Sequence, residues 1–335
     1  PRPGLSEAGE RFTRDASIGS EYNSRPYHTV REALFLLKAG LRKYFRTLYR
    51  SRDEEPEHPI PLLVGGWTNR FAGAHLHLSV AGRKMTQDEA ASLAWPLHDQ
   101  LPFLIAIGAN SPVWAKKITG KASNRFLRGS DAYFTVTRRG RLTSVDTREL
   151  VYSPSRKTKP ATLEIRVLDS NLPEYLVTAL CLVKAVALRW LKGKGAANRL
   201  SHADYLKARL EAAARGMRCQ LPWNGEWLTA PEYLDRVLWE HREELECMDI
   251  PDEIYEVLCL LKRGYTGARL IHDAAIQARH EHPQTWQRRF AKRYTLGLEQ
   301  LLSGNRLRDF AHALKVQLPS IERVWLGRKG ASLHG

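Results

Sequence analysis

Between residues 29 and 49 the apolar side chains Leu34, Leu37, Leu41, Phe45 and Leu48 return every three or four positions, the spacing of one buried helix face. Elsewhere the period drops to two. Residues 73–80 alternate without a break, residues 162–167 do the same, and residues 17–23 read as a short extended stretch. Residues 131–137 and 142–146 alternate around Arg138-Arg139-Gly140, which predicts a hairpin. Thr86-Gln87-Asp88-Glu89 has the order of a capping box and predicts a helix from Thr86 to about Gly108. Residues 51–61, charged and carrying three prolines, predict a surface loop, and residues 1–14, with Pro1, Pro3 and Gly4, a flexible lead-in. After Pro173 the pattern is mostly helical, interrupted by a tryptophan-bearing loop near residues 220–227 and by a glycine break at Gly264 and Gly267. Strands first and helices after them make an α+β chain with an antiparallel sheet rather than a wound βαβ one.

The chain has 335 residues, 43% of them hydrophobic, with nine tryptophans, enough for a sizeable core and against wholesale disorder. Length alone allows one large domain or two fused ones. No apolar run approaches the ~18–20 residues of a membrane span, and no stretch reads as a signal peptide. Cys181, Cys219, Cys247 and Cys259 show no C-x-x-C spacing, which speaks against a zinc ribbon or a disulfide framework and for a reducing, cytoplasmic setting. The first residue is Pro1, which allows a processed or excised start. Fifty-two Lys and Arg against 36 Asp and Glu give a formal charge of +16, so an anionic partner is expected: nucleotide phosphates, an acidic protein or nucleic acid.

The short strands carry the chemistry. In Gly73-Ala74-His75-Leu76-His77-Leu78-Ser79-Val80, period two places His75, His77 and Ser79 on one face and Leu76, Leu78 and Val80 on the other. In Thr162-Leu163-Glu164-Ile165-Arg166-Val167-Leu168-Asp169 the same rule gathers Thr162, Glu164 and Arg166. Glu21 and Asn23 share a face of the early stretch. If the three strands join one sheet, a single face holds carboxylates, imidazoles and a guanidinium. Glu and His suit Mg²⁺ or Mn²⁺, imidazole less typically for Mg²⁺, and arginine grips phosphate in a planar fork. Taken singly, each strand reads as a half-solvated antiparallel sheet sooner than as a site. Together they make metal plus phosphate an even alternative.

Four stretches extend this pattern. Gly73-Ala74-His75-Leu76-His77-Leu78-Ser79 has the form G-x-H-x-[HN]-x-[GS]. Ala109-Asn110-Ser111-Pro112-Val113-Trp114, with Thr119-Gly120 and Ala122-Ser123-Asn124-Arg125, follows S-S-P-x-W…T-G-x-A-S-x-R. The 162–169 strand reads T-x-E-x-R-x-x-D, and Lys262-Arg263-Gly264-Tyr265-Thr266-Gly267-Ala268-Arg269 resembles a G-x-G-A-x-R turn. In this order, over about residues 15–275, they resemble the carboxylate–amine ligases, whose best-known members are the glutamate–cysteine ligases of the glutamine-synthetase-like superfamily.

The resemblance implies a curved antiparallel sheet with helices on one face, a ligase-like domain at 15–275 and a helical extension at 276–335. It also implies a reaction in which ATP phosphorylates a carboxylate and an amine attacks the acyl phosphate, with Mg²⁺ or Mn²⁺ present. Carried over residue by residue, His75, Glu164 and Glu21 hold metal, and Arg166 faces the transferred phosphate. Arg125 contacts the carboxylate substrate or phosphate, His77 touches substrate or nucleotide, Ser111 shapes the floor, and Arg269 binds nucleotide or merely closes a helix turn. Trp114 is expected to anchor the core, while Lys116, Lys117 and Lys121 are expected to be solvated. One departure stands out. The family's opening G-x-E-x-E strand has no counterpart before Asp15, so residues 15–21 correspond to the family's second strand, and a second chain completing the sheet is one way to supply the first. Alternatives are a non-catalytic or partner-dependent subunit and a basic module for an acidic protein or nucleic acid, although no recognised nucleic-acid motif is present. The carboxylate is expected to be a small molecule or an acidic protein, and the chain a homo-oligomer.

Overall fold

The computed structural model describes residues 5–6, 10–15, 19–50, 67, 71–129, 142, 149–156 and 159–321. In chain order the first elements are β1 (Leu5–Ser6), β2 (Glu10–Asp15), β3 (Gly19–Asn23), α1 (Val30–Arg50), β4 (Gly73–Leu78), α2 (Gln87–His98), α3 (Leu101–Gly108), β5 (Val113–Trp114), β6 (Lys117–Ile118), α4 (Asn124–Gly129), β7 (Leu150–Ser153) and β8 (Thr162–Asp169). The rest is helical apart from one hairpin: α5 (Pro173–Leu191), α6 (His202–Arg215), β9 (Gln220–Trp223), β10 (Glu226–Thr229), α7 (Ala230–Glu240), α8 (Arg242–Glu246), α9 (Asp252–Lys262), α10 (Gly267–Glu281), α11 (Trp286–Leu302) and α12 (Leu307–Ala313).

The two segments of strictest alternation pair with each other. β8 is central in an antiparallel sheet of order β4-β8-β7, and its Leu163, Ile165 and Val167 are buried. They lie over α3, whose eight residues are all buried. The approach is close enough to require Gly108, since a Cβ there would stand 2.4 Å from Leu168 Cδ2. A second antiparallel sheet, β1-β2-β3, packs against α1. Glu10–Asp15, expected in a flexible lead-in, is therefore a strand: Phe12 stacks on Tyr44 of α1, and Tyr22 donates 2.7 Å to Glu10. The helical half is built round α5, which α1 meets through a buried Lys38–Glu174 ion pair at 2.8 Å.

Other expectations shift in detail. The capping box is present, with Glu89 N donating to Thr86 Oγ1 and Thr86 N to Glu89. The helix it begins ends at His98, because Pro102 offers no N–H and its ring crowds the preceding turn, so α3 starts afresh. The loop near Trp223 and Trp227 is a hairpin, β9–β10, turned by Asn224-Gly225 at φ 48° and 92°. The glycine break holds: Gly264, at φ 73°, ends α9. The expected loop at 51–61 and the hairpin at 131–146, Leu142 excepted, lie outside the described residues.

The β5–β6 hairpin turns on Ala115 and Lys116, both at positive φ (47° and 59°). Left-handed backbone costs a non-glycine residue roughly 1–2 kcal/mol, and Lys116 is exposed. Lys116→Gly is expected to stabilise the chain by about 0.5–1 kcal/mol in urea unfolding, the glycine's extra freedom in the unfolded chain offsetting part of the gain. A lower midpoint would show that the turn is not strained.

Candidate active site

The open face of the β4-β8-β7 sheet carries the candidate chemistry. Its register sets His77 opposite Glu164 and Leu76 opposite Ile165, and then slips between Ala74 and Leu76. Arg166 and Val167 together oppose His75, a bulge that increases the local twist and re-aims side chains at the strand's end. His75, His77 and Ser79 are exposed while Leu76 and Leu78 pack inward, as the alternation predicts. His75 Nδ1 reaches Glu164 Oε1 at 3.0 Å, and Arg166 Nε stands 3.5 Å from the same oxygen. His77 Nδ1 lies 3.0 Å from Thr162 Oγ1. Arg166 N donates 2.9 Å to Glu149 O, so the backbone of this residue is fixed on the β7 side.

The electrostatics follow from that crowding. Burial alone would raise the Glu164 carboxyl, but the His75 hydrogen bond and the fields of His77, His75 and Arg166 overcome it and hold the carboxyl at about 2. His77 keeps an exposed edge, yet loss of water around the ring lowers it to about 4, with Lys159, His75 and Arg166 adding and Glu164 opposing. His77 is thus neutral near pH 7. Between pH 6.5 and 4 the unfolded chain binds a proton there that the folded chain does not, so this part of the stability is complete above 6.5 and lost as pH falls toward 4. The thermal midpoint is expected to drop across that window, and less so in His77→Gln. Parallel curves for the two chains would assign the acid loss to other groups.

Behind the face, Asp169 ties the motifs together. It is 1% exposed and accepts from Asn110 N (2.8 Å), Ser111 Oγ (2.8 Å) and Ser123 Oγ (3.0 Å), with Arg125 Nη1 at 3.9 Å. Arg125 Nη2 donates 2.8 Å to Arg166 O, and its guanidinium lies over Gly73, where a Cβ would meet Nη2 at 2.6 Å. That close approach explains the glycine that opens the first motif. The late motif docks on the second: Ala268 N donates 3.0 Å to Ala109 O, and a Cβ at Gly267 would strike Asn171 and Asn110. All four stretches meet at one end of β8.

This places the expected site residues unequally. His75, His77, Glu164 and Arg166 converge on the open face. Ser111 is fully buried and committed to Asp169 and to Arg125 N, so it supports the floor from beneath. Arg125 pins β4 to β8. Arg269 pairs with Asp273 at 2.7 Å, lies over Tyr265, and lines a basic cleft with Lys121, Arg215, Arg218 and His272. Trp114 is half-buried under Arg128, and Lys116, Lys117 and Lys121 are exposed. Glu21 sits on β3, in the other sheet, where it accepts from Thr13 Oγ1 at 3.1 Å. The three strands therefore do not form one hydrogen-bonded sheet among the described residues.

Two residues that were assigned no role from the sequence matter here: Asp169 and Lys159. The available signal for Asp169 was its place as the last residue of the T-x-E-x-R-x-x-D stretch. Lys159, just before β8, interacts electrostatically with both Glu164 and Glu21; burial lowers its pKa while those two acids oppose the shift. Among the described residues no three His, Cys, Asp or Glu side chains are grouped to hold a metal ion. His75 and Glu164 offer one imidazole and one carboxylate, which fits a divalent cation shared with a polyphosphate, since Mg²⁺ commonly takes one or two carboxylates plus substrate oxygens. They do not make an all-protein cage. No helix of the described residues is long and apolar enough to cross a membrane.

Comparison with known proteins finds similar chains in sequence and in fold. The chain is 26% identical over 234 residues to a glutamate–cysteine ligase of Haloquadratum walsbyi. The resemblance to the carboxylate–amine ligases holds in sequence and in fold. That match covers 62% of this chain and 63% of the relative, under two thirds of its length. Among solved structures, the Pup ligase PafA in complex with ADP superposes with a TM-score of 0.58 over 94% of this chain and 76% of that one, at 12% identity. PafA in complex with the prokaryotic ubiquitin-like protein Pup gives the same TM-score and identity over 94% and 72%. No family model matches the chain.

Proposed function

We propose that this chain is an ATP-dependent ligase that joins a glutamate-like carboxylate, free or carried by an acidic protein, to an amine. The observation that carries the reading is the His75–Glu164–Arg166 constellation on an open sheet face, held in place by the Asp169–Arg125 network. The activities named for the relatives support it, as does the +16 charge. In this reading a carboxylate oxygen attacks the γ-phosphorus of ATP and ADP leaves. The amine then attacks the acyl carbon, loses a proton, and phosphate departs.

Arg166, two-fifths exposed and tied to the sheet through its backbone, would stabilise charge on the transferred phosphoryl group. Its ion pair with Glu164 keeps the guanidinium at the face before substrate arrives. His75 and Glu164 would hold Mg²⁺ or Mn²⁺, with Glu21 contributing from the neighbouring sheet. That ion, when bound, would neutralise triphosphate charge. His77, neutral at working pH, would offer a hydrogen bond to substrate or nucleotide without adding charge. The test is Mg²⁺-dependent ATP turnover in the presence of carboxylate and amine, and its loss in Glu164→Gln.

A further inference from the structure

Glu149, directly before β7, belongs to none of the four motifs, yet it places a carboxylate in the interior. Two side chains one turn apart on α6 hold it: Arg209 Nε donates 2.5 Å to Glu149 Oε1, and Tyr205 OH donates to Glu149 Oε2. All three residues are buried, so the protein rather than water satisfies the charge. The α6 side chains are fixed in turn. Tyr205 stacks on His98 of α2 with ring centroids 4.2 Å apart, and the Arg209 guanidinium lies 4.8 Å over the Phe126 ring. The backbone of Glu149 meanwhile carries a sheet contact, its carbonyl accepting from Arg166 N at 2.9 Å. Arg125, which lies 5.5 Å over the other occupied side of the same cluster at Phe126, donates to Arg166 O. Both polar backbone groups of Arg166 are therefore held by residues anchored around α4 and α6. This happens at the bulge opposite His75, where the ladder to β4 slips and side-chain direction depends on outside support.

We propose that Glu149 is a positioning residue for Arg166. Clamped to α6 through its carboxylate, it fixes its own carbonyl as the acceptor of the Arg166 N–H, and so sets the direction in which the guanidinium leaves β8. The inference rests on the role given to Arg166 in the proposed function: a charge that stabilises the transferred phosphoryl group has to be aimed before substrate arrives. Glu149 itself touches neither substrate nor nucleotide, and its effect falls on kcat rather than on the KM for ATP.

The first readout needs no nucleotide. In the free full chain, exchange of the Arg166 amide hydrogen, followed by NMR, is expected to quicken about tenfold in Glu149→Gln. The second is turnover. Glu149→Gln is expected to lower kcat about tenfold with the KM for ATP within about twofold of wild type. Tyr205→Phe, which leaves the Arg209 ion pair in place, should lower kcat about threefold. In an Arg166→Ala background the Glu149→Gln change should cost less than about twofold, because the group it positions is gone. A second tenfold loss in that background would make Glu149 a merely structural residue and overturn the proposal. So would an unchanged exchange rate or wild-type kcat in a folded Glu149→Gln chain or, if that chain does not fold, wild-type kcat in Tyr205→Phe; each of these leaves the proposed function standing. Absence of ATP turnover in the wild-type chain, or full turnover in Arg166→Ala, overturns the proposed function itself or the place of Arg166 in it, and this inference with it.

Discussion

Glu164→Gln is expected to reduce Mg²⁺-dependent ATP turnover by about 10²- to 10³-fold, the scale for removing one charged group from a transition-state site. The same change should lower the thermal midpoint by no more than ~4 °C. The two readouts separate because of where the carboxylate sits. Glutamine preserves the volume and an oxygen that can accept from His75 Nδ1, so the sheet face keeps its packing. What disappears is the charge, which the surroundings hold ionised down to about pH 2. Arg166 then loses its counter-ion, and a cation shared with nucleotide loses its carboxylate. Ion pairs this close to solvent contribute about 0–1 kcal/mol to stability, which for a chain of this size is a few degrees at most. Phosphate release and calorimetric unfolding of the same preparation check both halves. Turnover within tenfold of wild type would remove Glu164 from the site. Lost turnover with a collapsed midpoint would make it a structural residue.

That separation was partly legible in the sequence. Period two alone placed His75 and His77 on one face and Glu164 with Arg166 on another, and the observed pairing brings those faces together. It could not say which strands are neighbours, because pairing is decided by contacts far apart along the chain. Glu21 shows the limit: it shares a face with Asn23 in a short extended stretch, but its strand joins β2 in a separate sheet. β2 itself was hidden in a polar, basic stretch, where only Phe12 marks a buried side. The split of the expected 86–108 helix was signalled by Pro102, and the β9–β10 hairpin by Asn224-Gly225, both local signals that helical texture outweighed. Lys159 was unreadable for a different reason. A lysine in a basic loop is ordinarily solvated, and only the fold sets its ammonium against Ser153 Oγ of β7.

The largest stability effect is expected at Asp169. Asp169→Ala removes the shared acceptor of one backbone N–H and two serine hydroxyls, and leaves the Arg125 guanidinium beside a cavity. Burial pushes the Asp169 carboxyl up, and Arg125 with the three donors pulls against it, so the group is held by its partners rather than by water. Removing one member of such a buried set costs about 3–5 kcal/mol, or roughly 10 °C in the thermal midpoint. Asp169→Asn should fall between the two chains, since the amide keeps one acceptor oxygen but sets an NH₂ against donors. The effect should spread along a definite route. Arg125 lies over Gly73 and bonds the carbonyl of Arg166, so its release loosens β4 from β8 exactly where His75 meets Glu164. Activity and midpoint should therefore fall together in Asp169→Ala and separately in Glu164→Gln. If Asp169→Ala instead melts within about 2 °C of wild type, Asp169 does not hold the four motifs together. The face would then have to be kept in register by β-ladder hydrogen bonds alone.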